Sequence, residues 1–285
     1  MGEAAGTAEP HNRDGTMPTV VYALDIGVYH TGAEGQVLSK TTAAWCRATE
    51  GNRAFDSLRY SGTPCSGYFR SDREAGAAGS PGFRCGRSLP LLADSIAQDL
   101  AEGARIALGF EAPMWLPLAF REGPNLTLFS PRFPAEADHR WYLQSGAAAT
   151  VKAISLGIPL LKGVMDRLPG REIRWTTEVE RWKEDTLILF EAFVAGDHKV
   201  PGFKGSEDAP DEWDAFLAAL AWGSIHAGFE LPDGVEAESL HEAGTHPDPS
   251  VSIWDVVAGG TQGSRSTKVA GPSDCEVVGL RSAGR

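Results

Sequence analysis

Acidic residues stand at the ends of two apolar segments of this 285-residue chain. Asp25 closes a segment that begins at Thr19, and Glu111 closes another that begins at Arg105. The β-branched and apolar composition of both segments predicts buried strands. Because ligands bind at the carboxyl ends of strands in α/β sheets, Asp25 and Glu111 are candidate site residues. The alternative for each acid is a solvated carboxylate, or one paired with an arginine.

Two further acids, Asp211 and Asp214, open a helix that the sequence predicts over 211–226. Residues three apart lie on the same face of a helix. Acids in a first turn also stabilise the helix dipole, so a purely structural role is the alternative. The apolar residues that follow, such as Ala215 and Leu217, indicate that the helix packs on a core and that Asp214 lies near its buried side.

The order of these acids resembles that of the bacterial Holliday-junction resolvases, which belong to the ribonuclease-H-like superfamily. Asp25 matches the Asp of their first strand, and Glu111 matches the Glu that ends their fourth strand. Asp211 and Asp214 match the acidic pair on their closing helix. An irregular insertion expected around 50–87 and the Pro-rich loop after Glu111 depart from the resolvases, so a four-way-junction substrate does not follow from the resemblance.

The chain also resembles an uncharacterised family of predicted ribonuclease-H-like nucleases, in short motifs scattered from Val20 to Ala221. The shared features are an acid-Ala-Pro turn after the fourth strand, a Trp-then-small-residue start of a helix, a Glu inside the fifth strand and a final Asp-Ala helix. They correspond here to Glu111-Ala112-Pro113, Arg140-Trp141 to Ala149, Glu191, and Asp214-Ala215.

The resemblance implies an α/β fold with a ribonuclease-H-like mixed five-stranded sheet flanked by helices. In that strand order the first and fourth strands are neighbours, so Asp25 and Glu111 would meet. The closing helix would bring Asp214 to them as the third metal ligand, with Asp211 at the rim as an auxiliary ligand. We expect the carboxyl groups of Asp25, Glu111 and Asp214 to lie about 4–8 Å apart. The implied cofactor is Mg²⁺ or Mn²⁺, the implied partner is nucleic acid, and the implied reaction is two-metal phosphodiester hydrolysis.

Two residues are weaker candidates for the same site. Glu191 lies in the middle of an apolar strand, where a charge is costly unless it is satisfied, so we expect it beside the other acids or in a buried pair with an arginine. Trp115 follows Glu111 closely and is a candidate for stacking on a base. Its alternative role is to cover the edge of the core.

Two other functions stay open at this point. The chain could keep the fold as a catalytically inactive interaction module. Asp25-Ile26-Gly27, with Thr31-Gly32 after it, also resembles the first phosphate loop of actin-like ATPases and sugar kinases. Those proteins need a second Asp-x-Gly loop in a duplicated domain, and the sequence contains no second copy.

Composition predicts one domain at 18–285 after a disordered tail at 1–17. Within that domain we expect an irregular insertion around 50–87 and an irregular acidic region after 227. The net charge is −12, and the stretch 201–255 carries twelve acidic residues against one basic residue. The rest of the chain is therefore nearly neutral, so a phosphate-binding face outside 201–255 is compatible with the charge distribution.

No run of eighteen apolar residues occurs, so we expect no membrane span. The first residues lack the pattern of a signal peptide, which predicts a cytoplasmic protein. The four cysteines lack CxxC spacing, so they indicate neither a zinc ribbon nor a thioredoxin-like motif.

Overall fold

The computed structural model describes a core of the chain with gaps between its segments. The expected tail at 1–17 and residues 50–83 of the expected insertion lie outside the described residues. The described residues are 18–27, 43, 44–49, 84–117, 120–122, 125–127, 143, 145–171, 173–177, 179, 182, 186–193, 210–231, 235–239, 250–252, 269–270 and 277–282.

Three helices and thirteen strands are formed by the described residues. The helices are α1 (Leu89–Ala101), α2 (Ser145–Arg167) and α3 (Pro210–His226). The strands are β1 (Thr19–Asp25), β2 (Ala44–Thr49), β3 (Arg84–Gly86), β4 (Arg105–Glu111), β5 (Trp115–Pro117), β6 (Phe120–Glu122), β7 (Asn125–Thr127), β8 (Arg174–Thr176), β9 (Thr186–Phe193), β10 (Val235–Ser239), β11 (Ser250–Ser252), β12 (Val269–Ala270) and β13 (Val277–Ser282).

The fold is α/β and is built on a mixed sheet, as the sequence predicts. Five strands lie in the order β3-β2-β1-β4-β9. Strands β1, β4 and β9 are parallel to one another, whereas β2 is antiparallel to both β1 and β3. The first and fourth strands are therefore neighbours, which is the arrangement that brings Asp25 and Glu111 to the same edge.

The sheet is wider than the five strands expected, because three more strands extend it to eight at the side of β9. Strands β8 and β13 pair in parallel with β9, and β10 pairs antiparallel with β13. The region after 227, which we expected to be irregular, thus contributes β10 and β13 to the sheet. In the edge strand β10, Glu236 is exposed and Ala237 is half-buried, as expected for a strand with one solvated face. The Pro- and Gly-rich residues around this strand made the sequence look like a loop.

The two faces of the sheet are covered by different helices. Helices α1 and α2 cover one face, and α3 covers the other. Because strand side chains alternate between faces, the apolar residues divide into two clusters. Residues toward α1 and α2 include Tyr22, Leu24, Leu108 and Leu189. Residues toward α3 include Val21, Ala23, Ala107 and Ile188.

Helices α1 and α2 form one packed layer. The hydroxyl of Ser88 caps α1 by accepting the N–H of Leu91 at 3.4 Å, and Pro90 lies in the first turn, as the sequence predicts. Helix α2 is a single helix that continues through Pro159. By length and composition α2 could cross a membrane, but it buries an apolar stripe in the core, as core helices of globular proteins do. That stripe comprises Ala153, Leu156, Leu160 and Val164.

Helix α3 is anchored by aromatic contacts on the opposite face. Every residue from Ala215 to Trp222 is buried. The ring of Trp222 stacks on Phe190 with centroids 5.4 Å apart and meets Trp182 edge-on at 5.1 Å. Gly109 of β4 lies beneath the ring of Phe190, where any side chain would collide with it. These contacts fix α3 on the sheet and so fix the acids near its start.

Candidate metal centre

The carboxyl ends of β1 and β4 place two acids side by side. Asp25 and Glu111 are register partners on these parallel strands. Ala23 and Ala107 point toward α3, and the two-residue period of a strand carries Asp25 and Glu111 to that same face. Both side chains are half-buried.

Helix α3 supplies the third acid. Asp214 is the fifth residue of this helix and lies directly before the buried Ala215 and Phe216. Because α3 packs on β1 and β2, its first turn comes to the sheet edge where Asp25 ends its strand. Asp214 is also half-buried, so all three acids keep some exposure to solvent.

The three carboxylates converge. One oxygen from each of Asp25, Glu111 and Asp214 lies within 4.8 Å of the others. The separation expected from the sequence was about 4–8 Å. We name these three residues the acidic triad. Within the part of the chain that the structure describes, it is the group of His, Cys, Asp or Glu side chains that could hold a metal ion.

The spacing of the acidic triad suits a divalent cation. Magnesium binds oxygen at about 2.0–2.1 Å, so ligands on opposite sides of the ion lie about 4 Å apart; the larger calcium ion spreads them to about 5 Å. The upper limit of 4.8 Å therefore requires only a small adjustment of the side chains around an ion. Hard carboxylate oxygens, without thiol or imidazole, favour Mg²⁺, Mn²⁺ or Ca²⁺ over softer metals.

Asp211 lies one helical turn from Asp214 and contacts an arginine. Its Oδ2 is 3.5 Å from Nη2 of Arg87, and the two side chains are 23% and 27% exposed. Arg87 follows β3 immediately and precedes the helix cap Ser88. The auxiliary ligand role expected for Asp211 stays a prediction, and the ion pair gives this residue a second candidate role.

Two buried hydrogen bonds clamp the turn that follows Glu111. The N–H of Met114 donates to Oε1 of Glu191, a residue of β9 that is fully buried. From the other side, the hydroxyl of Thr150 on α2 lies 2.7 Å from the carbonyl oxygen of Pro113, to which it donates. The chain direction after Glu111 is thereby fixed by both β9 and α2.

Glu191 occupies a different face of the sheet from the acidic triad. It pairs in register with Phe110, which points toward α1 and α2, whereas Glu111 points toward α3. We expected Glu191 beside the other acids or in a pair with an arginine. Its described hydrogen bond to Met114 supports the turn after Glu111. The pair with an arginine and the metal-ligand role both stay predictions, and the strand register does not support the metal-ligand role.

Replacement of Glu191 with leucine is expected to lower the free energy of unfolding by about 1–3 kcal/mol. The N–H of Met114 would stay buried without its described acceptor. The turn would also loosen, so Mn²⁺ affinity should fall because Glu111 is held less firmly. Glu191→Gln is the matched control, since it keeps the acceptor oxygen. Equal stability of the Leu and Gln variants in urea would contradict this function of the carboxylate.

The remaining sequence-based candidate is Trp115. Its backbone forms β5 and pairs with Ser252 of β11. Its side chain lies outside the described side chains, so base stacking stays a prediction. Sequence reasoning did not single out Arg87, and no local pattern distinguishes that arginine from others near the expected insertion.

The chain matches no protein-family model, no curated protein and no solved structure. The geometry of the acidic triad and its surroundings is therefore what supports a function.

Proposed function

We propose that this protein is a Mg²⁺- or Mn²⁺-dependent nuclease with a ribonuclease-H-like fold, in which Asp25, Glu111 and Asp214 bind the metal. The observation that carries the proposal is the convergence of the acidic triad to within 4.8 Å. Its members come from β1, β4 and α3, which are far apart in sequence. Three carboxylates in close contact repel one another, so such a cluster is expected where a cation binds.

The sheet topology supports the fold part of the proposal. The resemblance to ribonuclease-H-like nucleases implies that the first and fourth strands are neighbours, and β1 and β4 are parallel neighbours. It also implies a closing helix with an acid at its start, and α3 carries Asp214 there. Both features agree with what the resemblance implies, and this agreement is the support for the fold part of the proposal.

The residues of the acidic triad would hold and orient the reacting groups. A bound divalent ion supplies Lewis-acid stabilisation of the phosphoryl group and lowers the pKa of water. Each carboxylate has two oxygens, so a bridging carboxylate could serve a second ion. The carboxylates are half-buried, so part of the surrounding water is excluded, which strengthens their electrostatic interaction with a cation.

Hydrolysis of a phosphodiester tests the proposal directly. Bis(4-nitrophenyl) phosphate and labelled single- and double-stranded DNA and RNA would be incubated with the protein in Mn²⁺, in Mg²⁺ and in EDTA. We expect cleavage of at least one of these substrates with metal and none in EDTA. If the protein binds Mn²⁺ but cleaves none of them, the nuclease proposal is overturned and the interaction-module alternative takes its place.

A further inference from the structure

We propose that Arg87 binds a phosphate group of the substrate and that Asp211 positions its guanidinium; this inference rests on the proposed nuclease function. The observation is the ion pair of Arg87 with Asp211, one helical turn from the acidic triad. It identifies a cation at the rim of a site whose other known members are anionic.

The position of Arg87 follows from the two elements that it joins. Strand β3 ends at Gly86, and Arg87 extends from that end to the first turn of α3. Asp211 and Asp214 are three residues apart, so their Cβ atoms lie about 5–6 Å apart on one helix face. The guanidinium is therefore within about one helical turn of the carboxylate of Asp214.

Charge gives the reason for a cation at this place. A phosphodiester is an anion, and the acidic triad repels it until a metal ion is bound. A guanidinium has five N–H donors in a planar fork that suits phosphate oxygens. It can therefore contact a phosphate while one nitrogen stays near Asp211. The exposure of Arg87, 27% of its side chain, gives solvent and substrate access to it.

The ion pair with Asp211 would keep the guanidinium directed toward the site. An arginine side chain loses conformational entropy when it is held in one rotamer. Because Asp211 already holds the guanidinium in the free protein, that entropy is lost before substrate binds and does not weaken binding. Asp211 is then a positioning residue that acts through Arg87. The alternative is that the ion pair only ties β3 to α3, and exposed or half-exposed ion pairs commonly contribute little to stability.

Salt-dependent binding of nucleic acid separates these alternatives. Affinity for a fluorescein-labelled oligonucleotide would be measured by anisotropy in Ca²⁺ over a range of KCl concentrations, using the strand type that wild type binds best. Removal of one phosphate contact lowers the slope of log affinity against log salt by about one. If the ion pair of Arg87 with Asp211 only holds β3 against α3, its removal has no effect on that slope.

We expect Arg87→Gln to weaken binding about tenfold and to lower the salt slope by about one. Arg87→Lys should keep the slope and recover part of the affinity, because it keeps the charge but not the fork. Asp211→Asn should weaken binding by a few-fold and leave the slope near that of wild type. The matched control is Arg167→Gln, which removes an arginine from another surface ion pair, that with Asp94.

Calorimetry with Mn²⁺ keeps this inference distinct from the proposed function. Arg87→Gln should bind Mn²⁺ within about twofold of wild type, since it lies outside the acidic triad. If wild type binds no Mn²⁺, the nuclease proposal fails, and this inference with it. If wild type binds Mn²⁺ and nucleic acid but Arg87→Gln keeps the wild-type salt slope, only the Arg87 inference is overturned. An Asp211→Asn variant that loses Mn²⁺ affinity as strongly as Asp214→Asn would overturn the positioning role of Asp211.

Discussion

Asp99→Ala is expected to lower the free energy of unfolding by about 3–5 kcal/mol, the loss typical when one partner of a buried ion pair is removed. Asp99 of α1 accepts two hydrogen bonds of 2.8 Å from Nε and Nη2 of Arg47. The two side chains are only 4% and 6% exposed. The variant would leave the guanidinium of Arg47 buried and without its carboxylate.

The surroundings of Arg47 make this loss hard to compensate. Its Nη1 has no hydrogen-bond partner among the residues that the structure describes. Tyr22, its register partner on β1, donates its hydroxyl hydrogen bond to Asp99, and that hydroxyl also lies 2.9 Å from the Ser95 hydroxyl. Removal of Asp99 would thus take a hydrogen-bond acceptor from both Arg47 and Tyr22.

The matched control for Asp99→Ala is Asp94→Ala on the same helix. Asp94 pairs with Arg167, but its side chain is 56% exposed. Exposed ion pairs typically contribute about 0–1 kcal/mol, so this variant should unfold at nearly the wild-type urea concentration. Comparable losses for Asp94→Ala and Asp99→Ala would contradict the interpretation that burial decides the effect.

The same cluster predicts a loss of stability in alkaline solution. Burial, and next the charge of Asp99, raise the pKa of Tyr22 well above its usual value of 10.0. The unfolded chain releases the tyrosine proton near pH 10 while the folded protein retains it, so unfolding becomes more favourable as the pH rises above about 10. Tyr22→Phe should show a shallower decline there. A decline identical to that of wild type would contradict the prediction.

Asp25→Asn is expected to reduce metal-dependent phosphodiester cleavage by about a thousandfold or more. A metal ion supplies several kcal/mol of transition-state stabilisation, and each 1.36 kcal/mol corresponds to a factor of ten in rate. The amide keeps the shape of the side chain but loses the negative charge that binds the cation. Rates of bis(4-nitrophenyl) phosphate or oligonucleotide cleavage in Mn²⁺ would measure the effect.

The control for Asp25→Asn is Asp166→Asn, which changes an exposed aspartate paired with Lys162 on α2. This variant should cleave at the wild-type rate. Circular dichroism in EDTA should show that both variants are folded. Wild-type activity of the Asp25→Asn variant would show that Asp25 is not a metal ligand. It would also contradict the arrangement of acids at the strand ends on which the proposed function depends.

The sequence was most informative where local patterns and strand order act together. Asp25 and Glu111 could be placed at one edge because apolar runs define their strands, and because the strand order of the families that the chain resembles makes those strands neighbours. Asp214 could be placed on the buried side of α3 from the apolar residues that follow it. Strand β10 could not be foreseen, because its place in the sheet depends on pairing with β13 some forty residues later.

Two charged residues inside apolar segments of the sequence indicate a buried ion pair, which the sequence analysis did not predict. Arg47 lies in the apolar segment of β2, and Asp99 lies among the buried residues of α1. Opposite charges in two buried elements predict a pair, because an isolated buried charge is too costly to retain. Arg87 gave no comparable signal, since it lies outside any apolar segment and its partner Asp211 is 124 residues away.

Calorimetric titration with Mn²⁺ tests the metal centre most directly. Wild type should bind Mn²⁺ at millimolar concentrations or below, and at a hundredfold excess over Kd the ion should raise the free energy of unfolding by about 2.7 kcal/mol. Asp25→Asn, Glu111→Gln and Asp214→Asn should each abolish the binding heat, whereas Asp166→Asn should retain it. Absence of Mn²⁺ binding by folded wild type at millimolar concentration, or unchanged binding in all three triad variants, would contradict the account.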